Sequence, residues 1–160
     1  MRHRIRQFAH AGRRPSPDDL ALARAWLALP LLDLFLAQHP RDVVHGASTA
    51  RLLLEGGHGA PDLVVAGFVH DVGKGSQRRL DRVAYVLAAW AGLERRLAAD
   101  HSRFALRRAV FRSLHHSERG AAMLEAAGAT ARVVDLTRRH HDLAGPDAML
   151  VLLQRADNLS

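Results

Sequence analysis

The run Leu63-Val64-Val65-Ala66-Gly67-Phe68-Val69 carries an apolar residue at nearly every angle of a helix. A helix without a polar face has no side to offer water, so other elements must surround it. Pro61-Asp62 supplies its start, and Gly73 and Gly75 bring it to a stop, which predicts a helix over about 61–71. The residues that close it are His70 and Asp71, followed by Val72-Gly73-Lys74-Gly75. Whatever fold the chain adopts, a His-Asp pair sits at the end of its most buried element. Lys74 is the only lysine among the 23 basic residues, the others being arginine.

The flanking sequence is helical throughout. Ser16-Pro17-Asp18-Asp19 combines a cap, a first-turn proline and two acids, predicting a helix that stops near Pro30. A short helix over 31–38 follows, and Asp42 opens one over 42–55 that ends at Gly56-Gly57. Residues 78–99 read as one amphipathic helix with Val83, Val86, Leu87, Trp90, Leu93 and Leu97 in its apolar stripe. The stripe is expected to pack inward, the alternative being a membrane-surface or partner-binding helix. Further helices are predicted over 103–114, from His116-Ser117-Glu118 to Gly128, over 131–141, and from Gly145-Pro146-Asp147 to the end. No alternating strand pattern, repeat or linker appears. Aromatics make up only 5% of the chain, so Leu, Ala and Val must build the core, which suits close-packed helices. The expected fold is an all-α, single-domain bundle of about seven to nine helices over 17–160, preceded by a basic arm, 1–16.

There is no cysteine, which excludes disulfides, thiolate metal sites and cysteine nucleophiles. A metal must therefore be held by imidazole and carboxylate. Eleven histidines are available. His45, His70 with Asp71, His116, His140 and Asp157 each lie in or at the end of an apolar helix that must turn inward. Six such groups in one core form a His/carboxylate site for one or two divalent metals, since without an ion they would be buried unpaired. His3, His10, His39, His58 and His101 read as surface or hydrogen-bonded residues. His115 and His141, neighbours of stronger candidates, read as supports or substrate contacts.

The ordered series His45, His70-Asp71, His116, His140-His141, Asp157 resembles the HD-domain metal-dependent phosphohydrolase superfamily over residues 42–159. Four phrases carry the likeness besides the ligands. They are Phe68-Val69-His70-Asp71-Val72-Gly73-Lys74, His116-Ser117-Glu118-Arg119-Gly120-Ala121, His140-His141-Asp142 and Ala156-Asp157. The resemblance implies a metal held by His45, His70, Asp71 and Asp157, with His116 and His140 completing a second site and Asp71 bridging. It implies Mn, Fe, Ni, Zn or Mg as the metal and phosphate-ester hydrolysis as the chemistry. Asp71 and Lys74 would be catalytic, Lys74 holding a phosphate oxygen, with Arg119 or Arg78 as a further clamp. Two alternatives keep the same ligands: a mixed-valent di-iron oxygenase, and a regulatory module that binds metal or nucleotide without turnover.

Departures narrow the substrate. No Gly-Tyr-Pro follows His140-His141, which argues against a cyclic-di-GMP phosphodiesterase. Arg41 occupies the place of a third-metal glutamate. Gly46, not arginine, follows the first ligand, unlike dNTP triphosphohydrolases, and the downstream Glu-Asp pair of alarmone hydrolases is missing from 72–100. The expected substrate is a small phosphorylated compound, nucleotides included. The net charge of +7 fits an anionic substrate. The arginines are spread along the chain and do not call for nucleic acid. With no secretion signal and no run able to span a bilayer, a cytoplasmic location is expected.

Overall fold

The computed structural model describes residues 14–75 and 79–160, with only the backbone described at 79–82, 84 and 89. Most of the basic arm and Arg78 thus lie outside the described residues. These contain ten α-helices and no strand: α1 Pro17–Trp26, α2 Leu29–Leu36, α3 Pro40–Glu55, α4 Pro61–Val69, α5 Arg79–Trp90, α6 Glu94–Leu97, α7 Ala105–Leu114, α8 His116–Ala126, α9 Ala131–Arg139 and α10 Ala148–Leu159, with a 3₁₀ turn at Val72–Lys74. The all-α bundle expected from the patterning is what forms.

The apolar segment does become the centre. α4 packs against α1, α2, α3, α9 and α10. Its Leu63, Val64, Ala66, Phe68 and Val69 are fully buried. Phe68 meets Phe35 of α2 edge-on, with ring centroids 5.4 Å apart. Removing a ring buried in this way costs about 3–5 kcal/mol. Two apolar clusters flank the helix, one shared with α1–α3, α8 and α9, the other with α10.

Local chemistry sets the ends. Ser16 and Asp19 form a reciprocal capping box at α1 (3.1 and 2.9 Å). Asp19 also accepts from Arg51 Nη2 at 2.5 Å, tying α1 to α3. Pro30 lies in the first turn of α2 and so opens a helix where the sequence predicts a stop. A first-turn proline sacrifices no hydrogen bond, because that N–H has no partner within the helix. α3 starts at Pro40, ahead of Asp42, because the His39 ring caps it by accepting from Arg41 N. The final helix starts at Ala148, capped by Asp147, whose carboxylate accepts from Leu150 N at 3.2 Å. Arg132 pairs with Asp147 and holds its carboxyl down to about 2.

The largest departure is the 78–99 segment. The chain turns at Gly92 and splits it into α5 and α6. The apolar stripe does not pack inward: Val83, Val86, Leu87, Trp90, Leu93 and Leu97 are all exposed. α5, α6 and α7 pack on one another, and α7 reaches the 3₁₀ turn and α8. No helix among the described residues is long and apolar enough to cross a membrane.

Candidate metal centre

Two close approaches of backbone set the site. α3 lies so near α4 that a Cβ on Gly46 would collide with the Phe68 carbonyl, which brings His45 beside His70. The 3₁₀ turn lies so near α8 that a Cβ on Gly73 would collide with the His116 carbonyl and lie 2.5 Å from Gly120 N. That contact brings Asp71 and Lys74 to His116. Gly46, next to His45, and Gly73, in the turn after the His-Asp pair, are therefore packing residues of the centre itself.

Three of the imidazoles are oriented in the same way. Each lies one or two residues past the end of a helix and uses its Nδ1–H to satisfy a carbonyl three residues back. His70 donates to Gly67 O (3.1 Å), His116 to Ser113 O (2.8 Å) and His140 to Thr137 O (2.6 Å). The last carbonyls of a helix have no partner within it, so helix ends supply these acceptors. With Nδ1 carrying the proton, a neutral ring presents a bare lone pair at Nε2.

Those Nε2 atoms converge. His116 Nε2 is 3.2 Å from His140 Nε2 and 3.0 Å from His141 Nε2. On the other side, His45 Nε2 is 2.8 Å from Asp157 Oδ1, and His70 Nε2 is 3.4 Å from the same oxygen. The Asp157 carboxylate accepts from His45 Nε2–H, while Ser160 Oγ bridges His45 Nδ1 (2.7 Å) and the Asp157 carbonyl (2.9 Å). Asp71 stands between the two halves. Its Oδ1 is 3.5 Å from His116 Nε2 and 3.7 Å from His140 Nε2. Its Oδ2 is 3.7 Å from His70 Nε2, 3.9 Å from His45 Nε2 and 2.5 Å from Lys74 Nζ. His70 Nε2 and Asp71 Oδ1 are buried without a hydrogen-bond partner.

The electrostatics divide the rings into two kinds. Burial pushes His116 down to about 4 and His140 down to about 3, so both rings are neutral near pH 7. Burial opposes charge at His70 as well, but the Asp71 and Asp157 carboxylates prevail and raise it to about 9. Burial also works against ionising Asp71, yet Lys74, His70 and the surrounding histidines hold its carboxyl far below the usual range. Asp157 is likewise held down against its burial, chiefly by His70 and His45.

This donor set fits divalent metal. Two neutral imidazoles cannot share a hydrogen bond when both Nε2 atoms are bare, and lone pairs 3.2 Å apart repel unless a cation lies between them. Among the described residues, two groups have ligand atoms close enough to hold an ion: His116 with His140 and His141, and His45 with His70 and Asp157. All six predicted ligands come together. His141, expected as a support, joins the imidazole group directly. His115 does not join it; the ring is exposed and lies 4.5 Å from Phe111. Arg119 is half-buried with Nε unpartnered and does not line the cleft described next.

A polar cleft of about 390 Å³ opens onto the group, lined by His45, Lys74, His140, His141, Asp142, Gln154, Asp157 and Asn158. The sequence reading missed Gln154, Asn158 and Ser160. Gln154 Nε2 donates to His140 O (3.1 Å) and Asp142 O (2.7 Å), fixing the turn that carries His140 and His141. One signal was available: Gln154, Asp157 and Asn158 recur at three- and four-residue steps, a polar stripe on a largely apolar helix. Comparison with family models, curated proteins and solved structures finds no match for the chain.

Proposed function

We propose that the chain is an HD-type metal-dependent phosphohydrolase acting on a small phosphorylated compound, with nucleotides the first class to test. The observation that carries this reading is the inward convergence of imidazole lone pairs on a buried carboxylate, beside a cleft whose rim holds the chain's single lysine. His45, His70 and Asp157 would hold one ion, His116, His140 and His141 another, and Asp71 would stand between them. When bound, such ions polarise a phosphoryl oxygen and make water acidic enough to react near neutral pH.

The chain's own residues supply the rest. Lys74 offers a compact charge at the cleft, suited to a phosphate oxygen rather than to a bidentate clamp. The Gly67, Ser113 and Thr137 carbonyls keep the imidazoles aimed, so little reorganisation is needed when the site fills. A cleft of about 390 Å³ takes a small ligand.

The test is a panel of phosphomonoesters, phosphodiesters and nucleotides, run with protein loaded separately with Mn, Fe, Ni, Zn and Mg. Turnover with at least one metal, lost in Asp71→Ala, is the expected result. Metal binding without turnover of any substrate would point to a binding module and end the hydrolase reading. No bound metal would end both.

A further inference from the structure

The apolar stripe of α5 faces away from the protein. Val83, Val86, Leu87 and Trp90 recur at three- and four-residue steps, and all are exposed, Trp90 to 86%. The same helix turns Ala88, which is buried, and Tyr85, which is half-buried, toward the protein. Leu93 and Leu97 on α6, with Phe104 and Leu106 at the start of α7, are exposed as well. Among the side chains described, none of this α5–α7 lobe belongs to either apolar cluster of the bundle. Arginines tie the lobe together: Arg107 donates to Leu97 O and Arg96 O, and Arg108 donates to Ser102 O.

The lobe is also basic. Residues 79–114 hold eight arginines against three carboxylates, a net charge of +5, and residues 1–14 hold five more arginines with no carboxylate. Arg95, Arg96 and Arg103 are exposed, and the Arg103 guanidinium stands 4.8 Å over the Phe104 ring.

We propose that the α5–α7 lobe docks onto an anionic lipid surface. α5 would lie in the plane of the interface, with Leu87 and Trp90 in the acyl boundary and the arginines on lipid phosphates. A helix with an exposed apolar stripe in a basic setting has the composition of an interfacial helix. Trp is favoured at that depth, and arginine stems cover apolar surface while their heads reach phosphate. The same charge opposes a second copy: two such lobes face to face would set like charges together. The twelve residues of α5 are too few to cross a bilayer and enough to lie on one. The lobe links the Lys74 turn to His116, so docking would place the cleft at a defined position relative to the membrane. The inference does not depend on the hydrolase reading.

The experiment is co-sedimentation of the full chain with phosphatidylcholine vesicles, with and without phosphatidylglycerol. Binding should be at least about tenfold stronger to the anionic vesicles and weaken with salt. The double variant Leu87→Asp, Trp90→Asp should lose about tenfold or more of it while keeping the wild-type helical content and metal content. In a Trp26→Phe chain, Trp90 emission should shift to the blue when anionic vesicles are added. Equal binding by the double variant would place the contact elsewhere, residues 1–13 included, and overturn the proposal. So would absence of binding at low salt, or a dimer in analytical ultracentrifugation that the double variant dissociates.

Discussion

His116 Nε2 and His140 Nε2 lie 3.2 Å apart, and each ring has already given its Nδ1 proton to a carbonyl three residues back. Neither has a proton to place between them. Such a contact is unfavourable in the metal-free protein and favourable only around a cation. His140→Leu removes it at similar volume. Metal-free His140→Leu should therefore melt at or above the wild-type temperature, while its stabilisation by added metal falls by more than half. A large loss of metal-free stability would mean that the ring is there for packing alone.

Metal should stabilise the fold. At a free concentration about 100 times its Kd, an ion bound only by the native state adds about 2.7 kcal/mol, or roughly 5–10 °C in Tm. Chelation should reverse the shift. Asp71→Ala should abolish it and reduce metal content at least about tenfold, as elemental analysis of purified protein would read.

The metal-free protein should have a two-sided pH profile. His116 and His140 have folded pKa values of about 4 and 3 against 6.5 unfolded, so the unfolded chain takes up more protons as pH falls below 6.5. Stability drops on that side. His70 is raised from 6.5 to about 9, so its contribution is complete below 6.5 and disappears as pH rises through 9. The alkaline loss is on the order of a few kcal/mol. Denaturant titrations should show a maximum near pH 6.5. Bound metal, which replaces the His70 proton, should flatten the alkaline limb.

Gly73→Ala should damage both fold and site, since its Cβ has no room beside the His116 carbonyl and Gly120 N. A cost of about 1–3 kcal/mol or more, with weakened metal binding, is expected. Gly59 provides the contrast: nothing lies within 4 Å of a Cβ there, and its φ is not positive. Gly59→Ala should stay within about 0.5 kcal/mol of wild type. Paired urea titrations would read the difference.

Lys74 holds Asp71 Oδ2 at 2.5 Å, so its ammonium competes for an oxygen that a cation would use. Lys74→Met should tighten metal binding while lowering phosphate-ester turnover about 100-fold. Loss of metal and turnover together would assign Lys74 a purely structural role.

The six candidate ligands were legible because each lies in or at the end of a helix whose apolar face is plain in the sequence. His115 and His141 were not separable by that logic. Adjacent residues on a helix point about 100° apart, so one member of a His-His pair is expected to face away. That holds for His115, which leaves α7 exposed. It fails for His141, because α9 ends at Arg139 and the chain has left the helix by then. The α5 stripe failed for a different reason. Periodicity reveals that a helix has an apolar face and is silent on what covers it. Ser160 had no pattern at all, since its role depends on a fold that brings it beside His45.

The His45–Asp157 contact joins positions 112 residues apart in the chain. Seen from the unfolded state, an ion held by both is a cross-link around a very large ring. Closing a loop of that size removes conformational freedom worth about 4–5 kcal/mol in a covalent tether. The cation would thus serve the fold as a reversible staple as well as the chemistry, and loss of the metal would loosen the first and last helices of the ligand-bearing core from each other before it disturbed α4 between them.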